Sequence, residues 1–411
     1  MKRKFRIIVG MLLLAIPLGL NAQVKVVKAD KNNKEVQPKT EKTVKAEKPE
    51  KPEKPEKPEK KEPKKEPRVS PDLVKVSGFV QTFYTANMDE KGKLQDNEFK
   101  MRRARLVVEG KFNEKFSYKL QGNFGKADDT QLVDAFVKYK PCNEFAIQVG
   151  QFKTPFSIES PINPVNLETY DYGEVITKLV GYKDMCGVKA MGRDIGMMAT
   201  GSLFPIKGEE GIKYNIVDYS IGVFNGNGAN AADNNNRKDI VGRLDFHPGL
   251  KALTISGSYY NGKYSNETVD RGSRNRWAAG AQYNDGKILF RSEYISGKTG
   301  YNTVVDSLNN IISEDSYLSN GYYAVAGYNF RFGKEKSQQL MPVFRYEHFL
   351  PDTEFEKGGT TFYTAGLSYW PIKYVNLKLN YQLIESYTLN ENAKYEKAYA
   401  NRVVAAVNFK F

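Results

Sequence analysis

Basic side chains recur on one face of the alternating segments that make up most of this 411-residue chain: Arg103, Arg105, Lys119, Lys138, Arg243, Arg291, Arg345 and Lys378, with Lys153 where a long insertion begins. A guanidinium offers donors in fixed geometry and an ammonium a mobile point charge. Such a row lining a water-filled space would attract an anion and replace part of its hydration shell. Asp134, Glu109, Asp245, Glu293 and Glu347 lie in the same rows and temper that field. The competing role of each basic residue is to brace the wall by pairing with a carboxylate.

Other chemistry finds little support. The two histidines, His247 and His348, sit in no zinc-ligand pattern. Ser296-Gly-Lys-Thr299 has the end of a phosphate loop, but Ser292 stands where the first glycine belongs and the surroundings alternate like a strand. No Ser-His-acid set is recognisable. The chain therefore reads as a non-enzyme with no catalytic residue, metal or cofactor. Cys142 and Cys186 fall in a short turn and in the long insertion, and a disulfide would join them only if the insertion descended through the lumen. The formal charge of +14 shrinks once the amino-terminal signal and the charged tract after it are set aside, and the remainder favours small anions rather than nucleic acid.

The elements that must position these residues alternate with period two. Sixteen segments of about ten residues do so: 74–85, 99–112, 116–124, 132–140, 144–153, 193–204, 213–224, 240–247, 251–260, 275–284, 286–296, 321–331, 339–349, 360–370, 374–385 and 402–411. Ten residues suit a tilted strand crossing a bilayer. On the second segment Ala104, Leu106, Val108, Gly110 and Phe112 form a lipid-compatible row opposite Arg103 and Arg105, and on the fourth Val133, Ala135, Val137 and Tyr139 are assigned outward. Short connections (113–115, 141–143, 248–250, around Asp285, 371–373) alternate with long ones (86–98, 225–239, 261–274, 297–320, 386–401). The fold class expected is an all-β transmembrane antiparallel barrel of about sixteen strands, with short turns on the periplasmic side. A series of water-soluble antiparallel domains would explain the strands but not the length pattern. Residues 154–192, which hold Pro155, Pro161 and Pro164 and lack sustained alternation, form an insertion too long for a hairpin turn, expected to fold inward and narrow the lumen, with an exposed cap outside the pore as the alternative.

Composition fits a barrel better than helices. Mean hydropathy is -0.57 despite 26 Tyr and 23 Phe, and only alternate side chains of a barrel meet lipid. Lys2, Arg3, Lys4 and Arg6 followed by an apolar run to Leu20 predict a secretory signal peptide over 1–22. A second region, 23–72, includes a tract with fifteen Lys, ten acidic residues and a proline repeat through Pro49, Pro52, Pro55 and Pro58, which suits an extended periplasmic linker. A contact through it to a cell-wall polymer or periplasmic protein is the second role its composition allows. The barrel is expected over 73–411. Its last strand carries Val403, Ala405, Val407, Phe409 and Phe411 on one row and resembles the assembly signal of bacterial outer-membrane proteins, which places the chain in the outer membrane among its lipids.

A narrower likeness lies in Phe99-Lys-Met-Arg-Arg-Ala-Arg-Leu106, Gly150-Gln-Phe-Lys-Thr-Pro-Phe-Ser157 and Gly192-Arg-Asp-Ile-Gly196. These stretches resemble the phosphate-selective porin O and P family. The resemblance implies a homotrimer of sixteen-stranded channels passing phosphate or related small inorganic anions down a gradient. It sets Arg103 and Arg105 in the family-like arginine segment and Lys153 at the root of the long loop. A non-selective general-diffusion porin, and an outer-membrane anchoring or adhesion protein, are the alternative functions.

Overall fold

The computed structural model describes residues 74–125, 131–188, 191–208, 211–250, 252–265, 272–299, 302–305, 311–389 and 394–411. The signal and linker expected over 1–72 lie outside the described residues. The strands in chain order are β1 (Val74–Asp89), β2 (Leu94–Lys111), β3 (Phe116–Asn123), β4 (Gln131–Tyr139), β5 (Ala146–Lys153), β6 (Arg193–Gly208), β7 (Gly211–Phe224), β8 (Asp239–Phe246), β9 (Leu253–Asn261), β10 (Lys263–Tyr264) and β11 (Gly272–Ser273). They continue as β12 (Arg276–Asn284), β13 (Ile288–Lys298), β14 (Asn302–Val305), β15 (Ile311–Asp315), β16 (Leu318–Tyr328), β17 (Phe330–Phe332), β18 (Gln338–Leu350), β19 (Thr360–Ile372), β20 (Val375–Leu389) and β21 (Tyr395–Lys410).

Seventeen of these strands share one antiparallel sheet, and β16 with β17 is a single stave interrupted at Asn329, so the wall has sixteen staves. The pairs β10–β11 and β14–β15 are separate ribbons in the long connections. Pairing of β1 with both β2 and β21 closes the sheet, and closure leaves no edge of unpaired backbone groups to face lipid.

The distribution of side chains is inverted relative to a water-soluble protein. Leu120, Val149, Leu244, Leu379 and Phe409 stand exposed on the outside, while Gln81, Asn376, Asn408, Arg291 and Glu347 are buried within. Outward apolar rows are what a lipid solvent selects. No helix among the described residues is long and apolar enough to cross a membrane, so the strands do the crossing.

Two β-bulges change the parity read from sequence. Between Gln81 and Thr82 of β1 the register skips Arg102 of β2, so Arg102 and Arg103 both reach the lumen side. Between Gln121 and Gly122 of β3 it skips Val133 of β4. Val133, assigned outward by alternation, is instead 0% exposed, and Leu132 takes the lipid-facing place at 45%. The connections expected at 86–98 and 386–401 are also shorter than read: the β1–β2 ladder continues to Met88 opposite Leu94, and the β20–β21 ladder to Leu389 opposite Tyr395. Beyond the bilayer both faces of a strand are wet, so no apolar contrast marks these extensions in the sequence.

The insertion after β5 turns into the lumen, as expected. Its ends meet where the Thr154 N–H donates to the Gly192 carbonyl at 3.2 Å. Its described residues include a short α-helix, α1 (Glu174–Leu179), whose Val175, Ile176 and Leu179 pack with Phe156 and Leu167 against Ile295, Tyr323, Val325, Val343 and Phe349 of β13, β16 and β18. The approach is close enough that a Cβ on Gly321 would lie 2.6 Å from Val175 Cγ2, so this wall position accepts only glycine without displacement.

Candidate functional site

Apolar packing holds one part of the inserted loop, and charge fixes the rest. Asp171 accepts from Arg103 Nη2 at 2.9 Å and Arg102 Nε at 2.8 Å, and Arg103 also donates to Gln81 Oε1 at 2.5 Å. Glu159 accepts from Arg345 Nη1 at 2.7 Å and Arg291 Nε at 3.2 Å, while Arg291 donates as well to Glu168. Glu347 accepts the Val175 N–H at 2.7 Å, and Glu293 accepts the Ser157 hydroxyl and the Ile158 N–H, both at 2.8 Å. Arg243 donates to the Ser157 carbonyl at 2.7 Å and to Asp245, and Lys378 donates to the Leu167 and Thr169 carbonyls. Toward the rim of long connections, Asp184 binds Arg274 at 2.8 Å and Arg276 at 2.7 Å.

The pairs of Glu159 with Arg345 and Arg291 and of Asp184 with Arg274 and Arg276 lie out of water, where removing one partner strands a buried charge at a cost of about 3–5 kcal/mol, while Arg102 keeps its side chain 37% exposed. Burial opposes ionisation of Asp171, but the Arg103 and Arg102 guanidiniums outweigh it and hold the carboxyl at about 2. Asp184 is likewise held far below the usual carboxylate range, by Arg274 and Arg276 against burial. Both cysteines are free thiols: Cys142 is exposed, and Cys186 is buried, where desolvation and the nearby Asp184 push it up to about 12.

Of the nine basic residues marked in the sequence, the structure therefore sets Arg103, Arg243, Arg291, Arg345 and Lys378, and at its root Lys153, against the loop. Arg105, Lys119, Lys138 and Lys153 lie along the β2–β5 side of the lumen. There Arg105, Lys119 and Lys153 line a water-accessible cavity of about 220 Å³ together with Arg193, Gln121, Gln148, Asp134, Phe136, Phe152, Pro161, Asn163 and Pro164. Nearer the rim of short turns a second cavity, about 230 Å³, is lined by Lys138 and Lys140 with Asn143, Ala146, Thr200, Gly201, Ser202, Asp218, Tyr219 and Ser220. Between the root of the loop and the wall, the first cavity is thus lined by four cations and one carboxylate.

The four cations are held differently. Arg193 Nε donates to Asp134 at 2.7 Å and its Nη1 to the Met191 carbonyl at 3.0 Å. Lys153 donates to the Ser160 and Ile162 carbonyls and to the Tyr172 hydroxyl, tying the loop to its root. Lys119 is 3.6 Å from Asp134 and keeps its side chain 30% exposed. Arg105 lies over the Phe79 ring at 5.6 Å, and its buried Nε has no hydrogen-bond partner among the described residues.

Sequence reasoning overlooked Arg193, Arg102, Arg274, Arg276 and the loop acids Glu159, Asp171 and Asp184. Arg193 carried a signal as the first strand residue after the insertion; Arg102 was concealed by the bulge beside it. Phe409 and Phe411 stand exposed on the outer face of the final stave.

Solved structures share this architecture. An anion-selective porin from Comamonas acidovorans superposes with a TM-score of 0.58 at 14% identity, over 82% of this chain and 99% of its own. The outer-membrane channel DcaP of Acinetobacter baumannii gives 0.55 at 13% identity over 83% and 99%. OmpF of Salmonella typhi, in complex with daunomycin, gives 0.54 at 16% over 82% and 97%. At such identities the likeness establishes the fold. No curated protein matches the chain in sequence. The family model described as phosphate-selective porin O and P matches residues 74–288, just over half of the chain. The protein is thus a porin-type transport protein of the outer membrane, in contact with its lipids, and a channel rather than an enzyme. Closed barrel, inward loop and sequence match converge: the chain belongs to the phosphate-selective porin O and P family.

Proposed function

We propose that this porin passes small anions by diffusion along the β2–β5 side of its lumen, with inorganic phosphate among them. The observation that carries this reading is the first cavity, which we take as the constriction of the path: there Arg105, Lys119, Lys153 and Arg193 face a single carboxylate, Asp134, already engaged by Arg193. A narrow aperture walled by protein screens charge less than bulk solvent, so the excess positive charge concentrates anions and repels cations. Lys138 and Lys140 continue the basic path toward the short-turn rim, which in outer-membrane barrels is periplasmic. Glu159, Glu168, Asp171 and Asp184 do little to oppose it, because they are paired with Arg291, Arg345, Arg102, Arg103, Arg274 and Arg276.

Three copies in the membrane fit this reading: Gly110, Gly122 and Ala135 on the outward rows permit close wall-to-wall packing. The charged segment 23–72 serves as a periplasmic spacer after removal of the signal over 1–22.

Reversal potentials in a planar bilayer under a potassium chloride gradient test the proposal. Chloride preference is expected, with measurable phosphate current when phosphate replaces chloride. Equal passage of both ions would leave a general-diffusion pore, cation preference would reject the anion path, and absence of conductance would favour an anchoring role.

A further inference from the structure

We propose that the constriction favours small organic carboxylates with an apolar body over inorganic phosphate. The inference rests on the anion-channel reading and names the class of anion within it.

Only part of the cation set has donors to spare. The Lys153 ammonium spends its three donors on two carbonyls and the Tyr172 hydroxyl, while Arg193, buried at 3% exposure, turns three of its five N–H groups to Asp134 and the Met191 carbonyl. Buried and so engaged, these two contribute field more than direct bonds. Arg105, which lines the cavity with no carboxylate partner among the described residues, and the partly exposed Lys119 are the groups placed to bind an anion's oxygens. The rest of the lining is not a second set of charged donors: beside Asp134 and the amides of Gln121, Gln148 and Asn163 it is apolar. Phe136, half-buried, packs edge to face with Phe152 at 5.9 Å, and Pro161 of the loop is exposed beside the buried Pro164.

A phosphate carries acceptor oxygens on all sides and loses hydration wherever it meets the two rings and the prolines. A carboxylate turns its two oxygens to Arg105 and Lys119 and lays its carbon body on Phe136 and Pro161, where leaving water is favourable. The volume of about 220 Å³ limits that body to a few carbons or one ring, since sites for drug-sized ligands run to roughly 300–1,000 Å³.

The test uses the full protein in planar bilayers carrying chloride current, with acetate, benzoate or phosphate added to one side at neutral pH. Benzoate is expected to halve the current at a concentration at least about tenfold below that needed with acetate or phosphate. Phe136→Asn should reduce the benzoate-to-acetate advantage severalfold, and Phe136→Leu should largely retain it. Pro161→Ser, at an exposed loop position away from the Phe136–Phe152 pair, should also reduce it, which keeps the test decisive if Phe136→Asn fails to fold. Phosphate blocking at lower concentration than benzoate, or an advantage unmoved by Phe136→Asn and Pro161→Ser in folded protein, would overturn the inference while leaving an anion channel. Loss of chloride preference in the unsubstituted protein would overturn the underlying reading instead.

Discussion

Arg103 and Arg105 are two residues apart on one strand, yet the structure predicts different consequences for losing each. Arg105 faces the constriction without a carboxylate partner, whereas Arg103 is held by Asp171 and Gln81. A unit charge about 4 Å from a permeating ion contributes about 1 kcal/mol even at the dielectric of bulk water, and more in a narrow aperture. The term has opposite sign for anion and cation, so Arg105→Gln should shift the chloride-to-potassium permeability ratio by about 2 kcal/mol, more than tenfold. Reversal potentials near 0.1 M salt should show the full change, and at 1 M, where the Debye length falls to about 3 Å, a much smaller one. Arg103→Gln should alter selectivity less and raise current fluctuation more, because it removes one of the two guanidiniums that clip Asp171 to the wall. Lys91→Ala, at an exposed turn, is the control for general surface charge. An unchanged ratio in folded Arg105→Gln, or an equal change in Lys91→Ala, would refute the placement of Arg105 in the ion path.

Two further outcomes follow from the closure of the barrel and the docking of the loop. Gly78 exchanges backbone hydrogen bonds with Phe411 at 3.0 and 3.1 Å, and a Cβ there would lie 2.4 Å from both the Arg105 carbonyl oxygen and the Phe411 ring, so Gly78→Ala should cost about 1–3 kcal/mol; the band of folded barrel on an unheated gel should convert to unfolded at a lower temperature, and an unchanged transition would contradict the contact. The Asp171 carboxyl lies below its unfolded value, so the stability it lends is present in full above about pH 4 and is lost as pH falls through about 2; the excess single-channel noise that Asp171→Asn adds should persist from pH 7 to 4 and shrink only on further acidification, and an excess already gone at pH 5 would mean that the contacts of Glu159, Glu293 or Glu347 give way first.

Much of the architecture was legible without coordinates, because a barrel wall imposes the same constraint on every stave. Lipid on one side and a polar interior on the other force a period of two, and hairpin connectivity forces short and long connections to alternate. Leu106, Leu120, Val149 and Phe409 could be placed on the outer face for that reason, and Arg105, Arg291, Arg345 and Lys378 on the inner. Alternation failed where the contrast between faces vanished, in the ladders that rise past the bilayer at Met88 and Leu389, and where a bulge added a residue, at Arg102 and Val133.

What a lumen-facing charge does was decided only by the tertiary structure. Arg291, Arg345 and Lys378 look no different in sequence from Lys119 or Arg105, since each is a basic residue on an inward row. They differ because the loop of residues 154–192 leans on β13, β18 and β20, bringing Glu159, Glu168 and the carbonyls of Leu167 and Thr169 to those three, and leaves a cavity beside Arg105 and Lys119. Period two is a local property of each strand, while the choice between bracing a loop and lining a passage depends on contacts between residues more than a hundred positions apart.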